Sequence, residues 1–296
     1  MKSISQIREK VLSGERKTIA VAAADDMPVL EAIKDAMDAD LANAVLIGNK
    51  GRIEEIASQL GMNMDRIEII DEPDVVLAAE RAVALVKEGK AHVLMKGLLK
   101  TPTLLKAVLN REKGLRTGGE LSHIAVFEVP GLDRLLVMSD PAMHILPSLE
   151  EKERILGSIK IVTDALEIKC PKIAAVCAIE VFNPAMPATV DADALTKMYK
   201  EGKLKDMVVD GPMALDIAVS KHAAEHKGYK GEIQGDADAL LMPNIESGNV
   251  MWKTLVYLAQ AKIAGVVVGA AAPVVLTSRS DSPETKLNSI MLSLLL

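Results

Sequence analysis

The sequence predicts an α/β protein in which parallel strands are covered by helices, arranged in two domains. Three observations predict it. Short apolar runs alternate strictly with longer segments of helical period over the first 110 or so residues, the pattern of successive strand–helix units. The rhythm breaks near Thr117, where two strand-like runs follow each other with only Pro130-Gly131 and a few residues between them. The alternation then resumes to the last residue, across 296 residues of which 49% are hydrophobic. That length admits one large or two medium domains.

Ile4–Leu12 reads as a short amphipathic helix and Lys17–Ala24 as a buried strand. A helix is expected from Asp25-Asp26 and Pro28 to about Ala39, where acids and a proline suit a first turn. Ala44–Ile47 is a second strand, stopped by Gly48, and Arg52–Leu60 a helix stopped by Gly61. Ile67–Ile70 and His92–Met95 are strands, followed by helices over Pro73–Lys87 and Pro102–Asn110. His123–Val129 and Arg134–Ser139 form the hairpin-like interruption. A long helix over Leu149–Leu166 and a strand at Lys172–Ile179 follow, then a helix at Ala192–Lys200. Met207–Val209 is a strand ending at Asp210-Gly211-Pro212, before a helix over Ala214–Glu225. Ala239–Met242 is a strand and Asn249–Ala261 a helix. Gly265–Leu276 is expected to return the chain to parallel α/β, and the apolar Ile290–Leu296 to end a packed helix.

Composition excludes several classes. The formal net charge of −6 opposes binding to nucleic acid or an anionic membrane, but not a local basic pocket for a phosphorylated ligand. Aromatics are 2% of the chain, so its core is aliphatic. The spacing of the two cysteines, Cys170 and Cys177, suits neither zinc nor a redox pair, so they read as small buried hydrophobes. Met1–Gly14 is polar and mixed in charge, unlike a secretory leader, and no apolar run reaches membrane-spanning length. The expectation is a cytoplasmic protein.

Candidate chemistry sits at strand-to-helix turns, where ligands of parallel sheets bind. Pro273–Leu276 stops at Thr277-Ser278-Arg279-Ser280-Asp281, and Ser282-Pro283 then opens a helix as N-cap and first helical residue. Free N–H groups and the helix dipole favour an anion there, and Arg279 offers a bidentate grip on phosphate. From those residues alone, an ordinary strand–loop–helix turn whose serines only cap the helix is the slightly simpler reading. The turn Met95-Lys96-Gly97-Leu98-Leu99-Lys100-Thr101-Pro102-Thr103 offers glycine, hydroxyls and cations at a second helix start, with the same two readings. Gly231–Asn249 is dense in Gly, Pro and acids. It reads as a turn-rich loop, as the lining of a cleft, or through Asp236 and Asp238 as a cation site. His222 and His226 have metal-ligand spacing without a third ligand, which favours a solvated helix face. His123 and His144 flank the hairpin, where core, surface and cleft-lining roles are all open. Neither a P-loop, a strand-linked G-x-G-x-x-G nor a G-x-S-x-G elbow occurs.

Three stretches in order resemble the phosphate acetyl/butyryltransferase family: Val209-Asp210-Gly211-Pro212-Met213-Ala214-Leu215-Asp216, Gly235–Asn249 and Pro273–Arg279. The N-terminal strand and the Lys96-Gly97 turn agree with it, and Leu121–Gly131 and Thr277–Ser282 look more like the butyryl branch. The resemblance covers essentially the whole chain. It implies reversible acyl transfer: acyl-CoA plus phosphate gives acyl phosphate plus CoA, with both as substrates and neither a bound cofactor nor a metal. It also implies a three-layer, parallel-sheet sandwich of two domains, related to the isocitrate and isopropylmalate dehydrogenases. Residues 1–117 plus 266–296 would form one domain and 118–265 an inserted second, with an active-site cleft between them, in a homodimer or higher oligomer. Its partners would be acyl-CoA and phosphate, not nucleic acid or membrane.

By that resemblance Ser278, Arg279 and Asp281 are the catalytic candidates, with Arg279 on phosphate and Ser278 on phosphate or carbonyl oxygens. Lys96, Gly97, Thr101, Thr103, Lys106, Asn244, Gly248 and Asn249 are candidates for binding substrate or CoA. Lys106 stands where the family has a substrate-binding arginine, and keeps the charge without the fork. The acetyl branch carries an aspartate seven positions after its motif serine, credited as the base for the CoA thiol; here that position is Thr285. Asp281 is the nearest carboxylate, and a nearby positive charge is the alternative way to the thiolate. Two other functions stand beside this one: a metal- and NAD(P)-dependent decarboxylating dehydrogenase, and a CoA- or acyl-phosphate-binding protein without turnover.

Overall fold

The computed structural model describes residues 1–278 and 281–296. In chain order, α1 (Ile4–Leu12), β1 (Lys17–Ala22), α2 (Met27–Asp38), β2 (Ala42–Gly48), α3 (Lys50–Leu60), β3 (Ile67–Asp71), α4 (Val75–Lys87), β4 (Val93–Lys96) and α5 (Thr101–Val108) form the first run. The middle run is β5 (Ser122–Glu128), β6 (Leu135–Ser139), α6 (Leu149–Ala165), β7 (Lys172–Val176), α7 (Pro187–Lys200), β8 (Val208–Met213), α8 (Leu215–Val219), α9 (Lys221–His226), β9 (Ala239–Leu241) and α10 (Ile245–Lys253). The chain ends with β10 (Lys262–Val268), β11 (Val274–Val275) and α11 (Pro283–Leu295). It divides into two compact units, Ile4–Leu121 with Ile263–Leu296, and Met1–Ser3 with Ser122–Lys262.

The architecture is mixed α/β with mostly parallel strands. In the first unit the strand order is β3-β2-β1-β4-β11-β10, and in the second β5-β6-β9-β7-β8. β1 aligns in parallel with β2 and β4, and β11 with β4. β10 and β11 pair antiparallel, as do β5 and β6 in the expected hairpin, and an isolated antiparallel bridge joins Arg116 to Ala270. The apolar run before Ser278 therefore departs from expectation. β10 and β11 are consecutive antiparallel strands, because only five residues, Gly269–Pro273, separate them, far too few for a parallel crossover.

Local chemistry explains the boundaries. Ile19–Ala22 are completely buried, and a strand covered on both faces needs an unbroken apolar run. The side chain of Asn49 caps α3, which ends at Gly61 in the left-handed region with φ 62°, where glycine carries no Cβ penalty. Asp74 accepts from the Val76 and Leu77 N–H groups to start α4. Ser148 and Glu151 form a reciprocal capping box on α6, satisfying two otherwise orphaned donors. α11 is buried almost continuously from Lys286 to Leu294. Its buried Ser289 is satisfied: the hydroxyl accepts the Gly265 N–H at 3.0 Å and donates to Thr285 O at 2.8 Å.

Two other expectations shift. The strand expected to stop at Val209 runs on as β8 through Asp210-Gly211-Pro212 to Met213. A Cβ on Gly211 would lie 2.9 Å from the Ala175 carbonyl oxygen, so glycine lets β8 stay close to β7 where a turn residue would be read locally. The single helix expected over Ala214–Glu225 is two short helices, because Ser220 is extended and its side chain caps α9.

Candidate active site

In the first unit the carboxyl ends of β1 and β4 lie side by side, with Ala22 opposite Lys96, and Val275 of β11 opposite Met95. Gly97 continues β4 against β1: its N–H donates to Ala22 O at 2.8 Å, and a Cβ there would stand 2.0 Å from Ala23 O. Only glycine lets the two backbones meet. Lys96 is 8% exposed, and its ammonium donates to the carbonyls of Gly97 and Leu99 at 3.1 and 3.3 Å. α5 then begins with Lys100 at its N-cap, no side-chain cap, and a proline in its first turn. Its first N–H groups lack the side-chain acceptor that α3, α4 and α6 have, which suits an anion.

Past β11 the chain turns through Thr277 and Ser278. The Ser278 N–H donates to Asp281 Oδ2 at 2.6 Å, and the buried Lys286 ammonium donates to the Asp281 carbonyl. Burial pushes the Asp281 carboxyl above the ordinary carboxylate range, against the Ser278 N–H and the charges of Lys286 and Lys96. Ser282 caps α11 by accepting from the Thr285 N–H at 3.1 Å, with Pro283 in the first turn, as expected. The Thr285 hydroxyl is tied into that same cap, 3.1 Å from the Ser282 hydroxyl.

The second unit builds a polar cluster at the end of β6. Asp140 is 3% exposed. Its Oδ1 accepts from Ala142 and Met143 N–H at 2.7 and 2.8 Å, and its Oδ2 from the His123 N–H and from His144 Nδ1, both at 2.9 Å. Burial alone would raise this carboxyl, but the bonds from His144 and from the backbone N–H groups of Ala142 and His123 hold it below the ordinary range. His123 is buried, stacked on Trp252 with centroids 5.0 Å apart. Burial drives its pKa down, partly offset by Asp140. α10 is pinned to this loop: Asn249 Nδ2 donates to Pro141 O at 3.3 Å, and a Cβ on Gly248 would stand 2.8 Å from Asp140 O.

Comparison with known proteins decides the family. A family model described as phosphate acetyl/butaryl transferase matches residues 3–76 and 72–294. The chain belongs to the phosphate acetyl/butyryl transferase family. It is 52% identical over 295 residues to a phosphate butyryltransferase of Clostridium acetobutylicum, covering 100% of this chain and 98% of the relative. It is similar to the crystal structure of a branched-chain phosphotransacylase from Enterococcus faecalis V583, with TM-score 0.86 and 34% identity, over 94% of this chain and 98% of that one. A putative 4-hydroxythreonine-4-phosphate dehydrogenase from Salmonella typhimurium shares the fold, with TM-score 0.58 and 14% identity over 95% and 99% of the two chains.

In this transferase-family chain the sequence candidates fall into separate settings. Lys96, Gly97 and Thr101 lie on the β4–α5 turn, and Ser278 and Asp281 on the turn before α11, where Lys96 acts electrostatically on Asp281. Arg279 lies outside the described residues. Thr103 and Lys106 line an open cavity of about 540 Å³ that also takes in Val76, Val83 and Lys87 of α4. Asn244 caps α10 by accepting the Ser247 N–H at 2.9 Å, so it, Gly248 and Asn249 hold α10 in place. Asp210 of the first resembling stretch is likewise a tie, accepting from the Tyr229 hydroxyl and the Ile233 N–H, both at 3.1 Å.

Asp236 is paired with Lys172, and Asp238 accepts the Lys172 N–H at 2.8 Å, so both are spoken for within the fold. Among the described residues no group of three or more His, Cys, Asp or Glu side chains is placed to hold a metal ion. His222 and His226 stack with each other at 6.0 Å. No described helix is long and apolar enough to cross a membrane. Sequence reasoning missed Asp140, Lys286 and Trp252. Asp140 has no local signature beyond a strand end followed by proline, and a lysine in the first turn of a helix gives no sign that it is buried.

Proposed function

We propose that the protein interconverts a short-chain acyl-CoA and its acyl phosphate, with butyryl as the preferred chain. Membership of the family makes it a phosphate acyltransferase; the chain preference is drawn from the name of the C. acetobutylicum relative and from the sequence features of the butyryl branch. The observation that carries the reading is the first unit's convergence of Lys96, the uncapped start of α5 and the Ser278 turn at the carboxyl ends of β4 and β11.

Phosphate is taken there by Arg279, the Ser278 hydroxyl and the α5 N–H groups, a set suited to a dianion. A phosphate oxygen then attacks the thioester carbonyl carbon, the C–S bond breaks, and CoA leaves as the thiolate. An acyl phosphate retains a good leaving group, so holding the reactants in line and stabilising the carbonyl oxyanion supply the catalysis, without a covalent enzyme intermediate. Asp281 serves by holding Ser278. Lys106 and Thr103, on the wall of the α4–α5 cavity, are assigned to the CoA side, and Asn244, Gly248 and Asn249 to the support of the acyl-CoA site. The fold is read as the two-domain sandwich of the isocitrate and isopropylmalate dehydrogenases, the setting as cytoplasmic, and the assembly as a homodimer or larger.

The test is phosphate-dependent CoA release from acetyl-, butyryl- and isobutyryl-CoA by wild type and Arg279→Ala. A peak at a four-carbon chain that collapses in the variant is expected. CoA binding without release from any of the three would leave the fold without the reaction and sink the reading.

A further inference from the structure

We infer that Lys286 is a positioning residue of the phosphate site, the buried cation that sets the charge of the Ser278–Asp281 turn for a phosphate dianion. The inference rests on the phosphate acyltransferase reading, with phosphate at that turn, and it concerns the first unit alone. Lys286 is 2% exposed and lies in the first turn of α11. Both facts count against a lysine there. A helix start carries the positive end of its dipole, and a buried charge costs free energy unless an opposite charge meets it. An apolar side chain of similar length would fill the same space without either cost.

The fold does not supply a full opposite charge. The Lys286 ammonium donates to a neutral acceptor, the Asp281 carbonyl, and among the described residues it forms no ion pair. The Asp281 carboxylate acts on it at longer range, but Lys96, itself 8% exposed, acts on the same carboxylate. Burial pushes the Asp281 carboxyl above its ordinary range, so it holds its charge less readily than a surface aspartate. Thr285, beside Lys286, is neutral, and Glu284, the acid of that first turn, is exposed to solvent that screens it. Two buried ammonium groups therefore act on one weakened anion, and the turn is short of negative charge. A phosphate dianion makes up the deficit.

The same contacts fix the turn. Lys286 holds the Asp281 carbonyl, the Asp281 N–H donates to the Ser278 carbonyl at 3.2 Å, and the Asp281 carboxylate takes the Ser278 N–H at 2.6 Å. Ser278 thus stands in a chain of bonds that ends on Lys286. Lys286 neither takes a proton from the substrate nor touches a reacting atom. It acts through the turn, by the bond to Asp281 and by a charge that water does not screen.

The experiment compares wild type with Lys286→Gln, which keeps a donor for the Asp281 carbonyl but no charge, and Lys286→Met, which keeps neither. Phosphate-dependent CoA release from butyryl-CoA gives kcat and both KM values. Thermal melts with and without inorganic phosphate read binding apart from turnover. Both variants are expected to raise KM for phosphate about tenfold or more, with KM for butyryl-CoA changed by no more than about twofold. Both should lose most of the rise in Tm that phosphate gives wild type. Without phosphate, Lys286→Met should melt no lower than wild type, because an apolar side chain replaces a buried charge without an ion-pair partner. An unchanged KM for phosphate, equal rises in the two KM values, or a Lys286→Gln that behaves as wild type would overturn the inference, the last by assigning the effect to the hydrogen bond. So would loss of the cooperative thermal transition in both variants, which would make Lys286 a structural residue. Arg279→Ala separates the two levels. If it abolishes the phosphate-induced rise in Tm while both Lys286 variants keep it, the phosphate site stands and the role of Lys286 falls. If wild type itself neither turns over nor is stabilised by phosphate, the acyl-transfer reading falls, and this inference with it.

Discussion

Ser278 and Asp281 hold each other through two bonds: the Ser278 N–H donates to Asp281 Oδ2 at 2.6 Å, and the Asp281 N–H donates to Ser278 O at 3.2 Å. The pair sets where the serine hydroxyl stands relative to the start of α11. Asp281→Asn keeps an acceptor but removes the charge from the shorter bond, which weakens it. We expect kcat/KM for phosphate to fall about tenfold, a loss of about 1.4 kcal/mol of transition-state stabilisation, with little change in Tm.

The same carboxyl predicts a pH effect. Burial holds Asp281 above its ordinary range, so the folded protein binds this proton more tightly than the unfolded chain. Its contribution to stability is complete below about pH 4 and is lost as pH rises through the raised folded value. Urea midpoints measured from pH 4 to 7 should show this component in wild type and lack it in Asp281→Asn.

Asp140 carries the opposite sign. Its folded pKa is depressed, so its stabilisation is present above the ordinary value of about 3.9 and is lost as pH falls through the folded one. Asp140→Asn should destabilise by about 1.5–3 kcal/mol at pH 7 through the lost charged hydrogen bonds, and by progressively less towards pH 2. Urea unfolding of both proteins across that range checks it. An equal loss at every pH would mean the carboxylate acts by shape alone.

Gly97→Ala should be among the most damaging single methyl groups in the first unit. The added Cβ would meet backbone, 2.0 Å from Ala23 O and 2.6 Å from Ala22 O, and β1 and β4 are pinned by their neighbours. A loss of about 3 kcal/mol or more is expected, at the upper end for overpacking, or failure to accumulate as folded protein. Gly248→Ala meets the Asp140 carbonyl at 2.8 Å, where a loop can yield, and should cost about 1–2 kcal/mol. Thermal melts of the two variants rank them.

Ser282→Ala removes the cap of α11. The lost bond from the Thr285 N–H is expected to cost about 1 kcal/mol. Calorimetry should show a lower Tm without a change in the unfolding enthalpy per degree that would mark loss of the whole helix.

Much of the fold and part of the site were legible in the sequence, because periodicity, caps and turn chemistry act within a few residues. The alternation of Ile19–Ala22, Ala44–Ile47 and Val93–Met95 with helical segments predicted the parallel strands, and Pro130-Gly131 the hairpin. Ser282 and Pro283 announced the start of α11. Three ordered stretches were enough to place the family, since side-chain types at fixed spacings carry that information without coordinates. What the tertiary structure decided depends on partners distant in the chain. That β8 continues through Pro212 against β7, and that Lys286 is buried beside Asp281, follow from packing. The pairing of His144 with Asp140, and of His123 of β5 with Trp252 of α10, is of the same kind. A sequence shows which residues can donate, accept or titrate; burial and the neighbours it brings decide which of them do.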